Sequence, residues 1–151
     1  MRCAALVFVG IGLMGSGCAT LTQQPASYVD ESMKASDGQA GAPVVVQWLA
    51  KELPVGPTLV YVEPSGSEGE GVGKAIADGL RARGYAIATA TEGVEAEKLT
   101  RVQYSLSPLD RATVLLRFGT ASGGQAAQVL RRGEDGQLVP IGPLTVRKDG
   151  Q

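Results

Sequence analysis

The sequence of 151 residues contains no histidine. That absence removes Ser–His–Asp and Cys–His catalysis and most zinc sites together, because each needs an imidazole as base or ligand. Cysteine is almost absent too. Only Cys3 and Cys18 occur, so the body of the chain can hold neither a disulfide nor a thiolate nucleophile. No serine is followed by lysine at the spacing of the penicillin-binding serine enzymes. Neither sign of charge dominates: 14 Lys and Arg against 15 Asp and Glu leave a net charge of -1, which gives no electrostatic footprint for nucleic acid. The apolar run Ala4–Met14 is too short to span a bilayer as a helix.

That run has a different meaning. Arg2 precedes it, and the small residues Gly15, Ser16 and Gly17 lead from it to Cys18. Positive end, short apolar stretch and small-residue exit make an export signal. The terminal cysteine matches the end of a bacterial lipoprotein signal, in which Cys18 becomes the lipidated first residue of the mature chain. Residues 1–17 are thus expected to be removed, and Cys3 with them. Acylation would also cap what is otherwise a free thiol in an oxidising compartment. Ala19, not Asp, follows the cysteine, so the expected destination is the periplasmic face of the outer membrane. An ordinary secretory signal with an incidental cysteine is the plainer alternative.

Residues 18–41 carry Gln, Ser, Asp and Gly with few large apolar side chains, the composition of a tether without a core of its own. Tyr28, Val29 and Met33 interrupt that polarity and could form a short docking motif. Residues 42–149 have the size of one small domain, and the overall composition, 44% hydrophobic and 19% charged, is ordinary for a globular chain.

Within that domain the periodicity is clear in places. Pro43 suits the first turn of a helix, and Val46, Leu49, Ala50 and Leu53 recur at helical spacing until Pro54, Gly56 and Pro57 stop the run. Thr58–Glu63 alternates as a strand. From Val72 the period becomes helical, with Val72, Ala75, Ile76, Gly79 and Leu80 on one face. Ser67 and Glu70 have the spacing of a capping box, and Gly84 can take the left-handed position that ends the helix. Tyr85–Ala90 extends again and Thr91–Lys98 reads as a loop. Val102–Leu106, Ala112–Phe118 and Ala126–Arg132 are strand-like, and Asp135–Gly136 is a hairpin signal. Leu138–Val139 and Leu144–Arg147 read as short strands interrupted by Pro140 and Pro143, which confine this segment to a sheet edge or a bulge. The expected architecture is α+β: a small strand–helix–strand unit extended by an antiparallel meander, with helices on one face of the sheet.

The glycine-rich turn ahead of Val72 sits where a phosphate loop would. It fails as one. A P-loop needs glycine where this chain has Glu68 and Ser or Thr where it has Ala75, and the dinucleotide pattern fails at Lys74 or Ile76. The carboxylate pairs Glu95–Glu97 and Glu134–Asp135 lie in expected loops, as solvated charge does. No catalytic residue, cofactor site or metal site is therefore expected, and neither a nucleic acid nor a small-molecule substrate. What remains as candidate contact residues are Tyr28; Trp48, whose packing at the domain edge competes with a partner contact; and Arg131, Arg132 and Arg147, a basic edge on the last strands that could meet an acidic surface.

The segments LPVGPTLVYVEP, VGKAIADGLRARGYAI, YSLSPLD and DGQLVPIGPLTVRK, together with the signal ending at Cys18, resemble in order the TrbH family of conjugal transfer lipoproteins. The closing Asp135–Gly142 segment is the most telling of these in combination, and Leu144 stands where members of the family tend to carry Trp. The resemblance implies a non-catalytic component of a conjugative type IV secretion (mating-pair formation) apparatus, with other channel subunits as partners. It would anchor or stabilise the channel at the outer membrane. Two readings compete with it. One is a generic envelope lipoprotein that binds peptidoglycan or a transport complex; the other is an envelope enzyme that would depend on Glu63 or Asp110.

Overall fold

A computed structural model describes residues 27–148 apart from 67–69 and 122. The signal, Cys18 and the cap residue Ser67 lie outside the described residues. The elements run β1 (Tyr28–Val29), α1 (Ala35–Glu52), β2 (Leu59–Val62), α2 (Glu70–Arg81), β3 (Ala86–Ile87), β4 (Leu99–Pro108), β5 (Thr113–Thr120), β6 (Gln125–Arg132) and β7 (Leu138–Arg147), with a 3-10 turn at Ala96–Lys98 before β4. They form an α+β fold. A sheet in the order β3-β2-β4-β5-β6-β7 carries both helices, and β1 lies beside β4.

The sheet is parallel at one end and antiparallel at the other. The strand–helix–strand unit β2-α2-β3 is parallel, and β2 also runs parallel to β4. From β4 onward each strand returns beside the last. β4 is long enough to hold two partners along one edge: Leu99–Val102 pair with β2, while Ser105 and Leu106 pair with β1. β1 therefore continues the line of β2.

The helical period of the second unit is realised as expected. Val72, Ile76 and Leu80 turn inward and are buried. Asp78, on the opposite face, takes Lys74 at 2.5 Å and Arg81 at 2.8 Å. Gly84 has φ +89°, the left-handed value that ends the helix, and its N–H donates to the Arg81 carbonyl at 2.9 Å. Leu49, Leu80, Leu106, Leu116 and Leu130 are completely buried, so the core lies between the two helices and the face of β2 and β4–β6 that they cover.

The first helix departs from expectation. It does not begin at Pro43 but at Ala35, and Pro43 lies inside it, on its exposed side. The boundary between tether and domain at residue 42 is therefore corrected: Tyr28–Val29 is a strand and residues 35–41 are helix. The physical reason is that this half of α1 is held by small residues at close range rather than by apolar bulk. A Cβ on Gly38 would lie 2.2 Å from the Val72 Cγ2 atom, and one on Gly41 would lie 3.3 Å from Leu116. Asp37 supplies the helix start. Its carboxylate accepts the Lys34 N–H at 2.9 Å, satisfying a donor the helix itself leaves open.

The last strand also differs. Leu138–Arg147 is continuous through both prolines. It is the outer strand, where a missing N–H is tolerated, and a register shift between Ala127 and Val129 absorbs the irregularity. Gln128, buried at that shift, donates its amide to the carbonyls of Ile141 at 2.8 Å and Gly142 at 3.3 Å. Gly142 takes φ +70° there. At the other end of the sheet, β3 is shorter than the Tyr85–Ala90 extension expected.

Candidate interaction face

Strand alternation divides the side chains of β4–β7 between two faces. Tyr104, Leu106, Leu116, Phe118 and Leu130 go to the helices and are buried. Their neighbours go to the other face, which no described element covers. The registers align these neighbours in rows across the strands. One row is Tyr28, Ser105, Arg117, Ala127 and Thr145. The next is Gln103, Gly119, Gln125 and Arg147. On the far side of the first row run Ser107, Leu115, Val129 and Ile141.

Side-chain size along these rows shapes the surface. Ser105, Gly119 and Ala127 are its low points, Arg117 stands between Ser105 and Ala127 on the middle strand, and Tyr28 and Arg147 rise at the two ends. The result is a groove of about 500 Å³ that runs across the strands and is bordered by these side chains. Tyr28 is half exposed, and its hydroxyl donates to Asp30 at 3.2 Å. Ser32 donates to the other Asp30 oxygen from both its N–H, at 3.0 Å, and its hydroxyl, at 2.6 Å. These Ser32 bonds are the main cause holding the Asp30 carboxyl below the usual aspartate range.

Arginine is the commonest charge on this face. Arg101, Arg117, Arg131 and Arg147 all point to it by register. Glu63, at the end of β2, accepts the Gln103 amide at 3.0 Å and lies 3.8 Å from Arg101. Among the described residues, neither Arg117 nor Arg147 is in an ion pair.

The expected contact residues separate on inspection. Tyr28 and Arg147 both line the groove, at its opposite ends. Arg131 is on the same face but nearer the β4–β5 turn, opposite Thr113. Trp48 is an interior residue, 4% exposed, with its ring edge-on to Phe118 at a centroid distance of 5.3 Å. Its indole N–H meets no acceptor among the described residues. Arg132 belongs to the other face of β6. It reaches back to α1 and grips Asp37 with both guanidinium nitrogens, at 2.7 and 2.9 Å, while also donating to the Gly136 carbonyl at 2.9 Å. Trp48 is thus packed in the core, and Arg132 is engaged by Asp37. Arg117 was not anticipated as a contact residue. The signal was present in ATVLLRF, where an arginine alternates with Leu116 and Phe118.

The carboxylates named for an enzyme reading have structural partners. Asp110 accepts the Thr113 hydroxyl at 2.5 Å and the N–H groups of Ala112 and Thr113 at 2.7 and 2.8 Å, closing the β4–β5 turn. Those bonds, led by the Thr113 hydroxyl, hold its pKa down. Glu63 is occupied as described. Among the described residues no three Asp, Glu or Cys side chains gather as a metal site would need, and no helix is long and apolar enough to cross a membrane.

No curated protein matches the chain at a significant level. A family model does: that of the conjugal transfer protein TrbH matches residues 20–149 in one run. With most of its length covered by that match, the chain belongs to the TrbH family of conjugal transfer proteins.

Proposed function

We propose that this protein is a non-catalytic outer-membrane lipoprotein of the mating-pair formation apparatus, anchored through acyl chains on Cys18 and stabilising the channel of a conjugative type IV secretion system. The observation that carries the reading is the family match over residues 20–149, immediately behind a signal pattern that ends in Cys18. More than one acyl chain is needed for stable anchoring, which is what lipoprotein maturation provides.

The early start of the fold adds a physical constraint. From Cys18 to Ser27 there are nine residue steps, which reach at most about 30 Å even fully extended. A domain joined by so few residues stays within roughly its own diameter of the bilayer, and β1 is the element nearest Cys18 in sequence. This fits a part that works at the membrane end of a channel rather than one that reaches across the periplasm.

The test is detergent co-purification of C-terminally tagged protein from cells carrying the whole transfer operon, beside a Cys18→Ser version. Channel subunits should accompany the wild type in near-equal amounts and be lost with the variant, which should also fail to incorporate labelled palmitate. Recovery of the wild type alone, or with cell-wall material, would overturn the assignment.

A further inference from the structure

The face away from the helices presents a shaped trough and two arginines, Arg117 and Arg147, that are in no ion pair among the described residues, and both features constrain what can cover it. We propose that the groove across β1 and β4–β7 binds an extended, carboxylate-bearing segment of a partner protein, laid across the strands with its acidic side chains on Arg117 and Arg147. The role goes beyond the family reading and stands on the face itself.

Shape sets the first constraint. The low floor of Ser105, Gly119 and Ala127 is one side chain deep, with Leu115, Val129 and Ile141 as an apolar shoulder beside it. From β1 to β7 the rows cross roughly 19 Å at a strand spacing of about 4.8 Å, the length of about six extended residues. A single polypeptide strand fits such a trough. A flat layer of lipid headgroups would touch the arginine ends and leave the floor unfilled.

Charge sets the second. Arg117 and Arg147 have no carboxylate of their own among the described residues, while Glu63 and Asp30 at the margin are already held by Gln103 and Ser32. A second copy docked face to face would bring arginine against arginine, so the face is complementary to acid and not to itself. By sheet geometry the two arginine Cα atoms are roughly 12 Å apart, two strands over and one row along. In an extended segment that matches carboxylates four residues apart, the spacing that also puts both on one side of the chain. Guanidinium forks bind such groups with paired, charge-assisted hydrogen bonds.

The experiment uses the full chain in non-ionic detergent. It is titrated with a labelled twelve-residue peptide of Thr, Val and Tyr that carries Asp and Glu four residues apart, and with its Asn/Gln twin. Binding is read by fluorescence anisotropy. The acidic peptide should bind saturably, more weakly as salt rises, and the twin should not. Arg117→Gln and Arg147→Gln should each weaken binding about tenfold or more. Ala127→Phe, which fills the floor without changing charge, should abolish it while the melting temperature is retained. Equal binding of the twin, or unchanged affinity in both arginine variants, would overturn the proposal. So would Arg117-dependent binding to phosphatidylglycerol vesicles with none to the peptide, which would mark a membrane-facing surface. Either failure would leave channel-subunit recovery through Cys18 untouched, so the two readings fail separately.

Discussion

Asp37→Ala lowers the stability of the domain by about 2–4 kcal/mol, through loss of charge-assisted hydrogen bonds to a partly exposed arginine together with loss of a helix cap. The Asp37 side chain is 1% exposed and holds together parts of the chain far apart in sequence. It caps α1 through the Lys34 N–H and clamps the Arg132 guanidinium, which itself braces the β6–β7 hairpin through Gly136. Removing it leaves Arg132 uncompensated and the first turn of α1 open. Against a typical total of about 5–15 kcal/mol, this is a large fraction. Urea denaturation read by circular dichroism measures it. Replacing both partners, as in Asp37→Leu with Arg132→Met, should cost less than the single change, because no partly buried guanidinium is then left without its carboxylate.

The same pair makes stability depend on acid. Burial pushes the Asp37 carboxyl up, but the Arg132 hydrogen bonds, the Lys34 N–H and the Arg132 charge together hold it below the usual aspartate value. Its folded pKa is thus lower than its unfolded one, near 3.9. The contribution is complete above the unfolded value and is lost as pH falls through the folded value. The wild type should therefore lose stability from about pH 5 downward, and Asp37→Ala should lose less over the same window.

Gly38→Val is the second large effect, expected at about 3 kcal/mol or more through forced separation of the helices. Helix propensity alone argues the other way for a glycine within α1, since replacing Gly by Ala stabilises a helix interior by about 1 kcal/mol. Packing decides the sign. The new Cβ would fall 2.2 Å from Val72 Cγ2 and 3.1 Å from Val72 Cα, so rotating the valine does not clear it and α2 must withdraw. Gly79 is the milder counterpart, because its nearest contact is the side-chain end of Val46 at 2.8 Å. Combining Gly38→Val with Val72→Ala should recover part of the loss, and a thermal melt of the single and double variants measures that coupling. Simple additivity would contradict the contact.

These residues also mark where the sequence is readable and where it is not. α2 announces itself because its apolar period survives intact and Gly84 closes it. The meander is readable from alternation and from Asp135–Gly136, whose left-handed glycine, at φ +78°, makes the expected turn. The front half of α1 is not. ASDGQAGA looks like a linker because the interactions that hold it are absences of side chain and one carboxylate, and Pro43 reads more naturally as a helix start than as an interior residue. Arg132 is misread for a related reason. Its partner is separated by 95 positions, and nothing local distinguishes it from Arg131, which the strand turns to the opposite face. The groove lies between these cases. Alternation tells which residues share a face, but only the registers place Tyr28 in line with Arg117, and Arg147 in line with Gly119 across Gln125.

The most direct test of the account is conjugal transfer itself. A donor lacking this protein is supplied in trans with the wild type or with Cys18→Ser, and transfer frequency is scored alongside protein level. The account predicts that the wild type restores transfer and that Cys18→Ser, present at an equal level, does not. Full restoration by Cys18→Ser would contradict it, because the membrane anchor would then be dispensable to the apparatus.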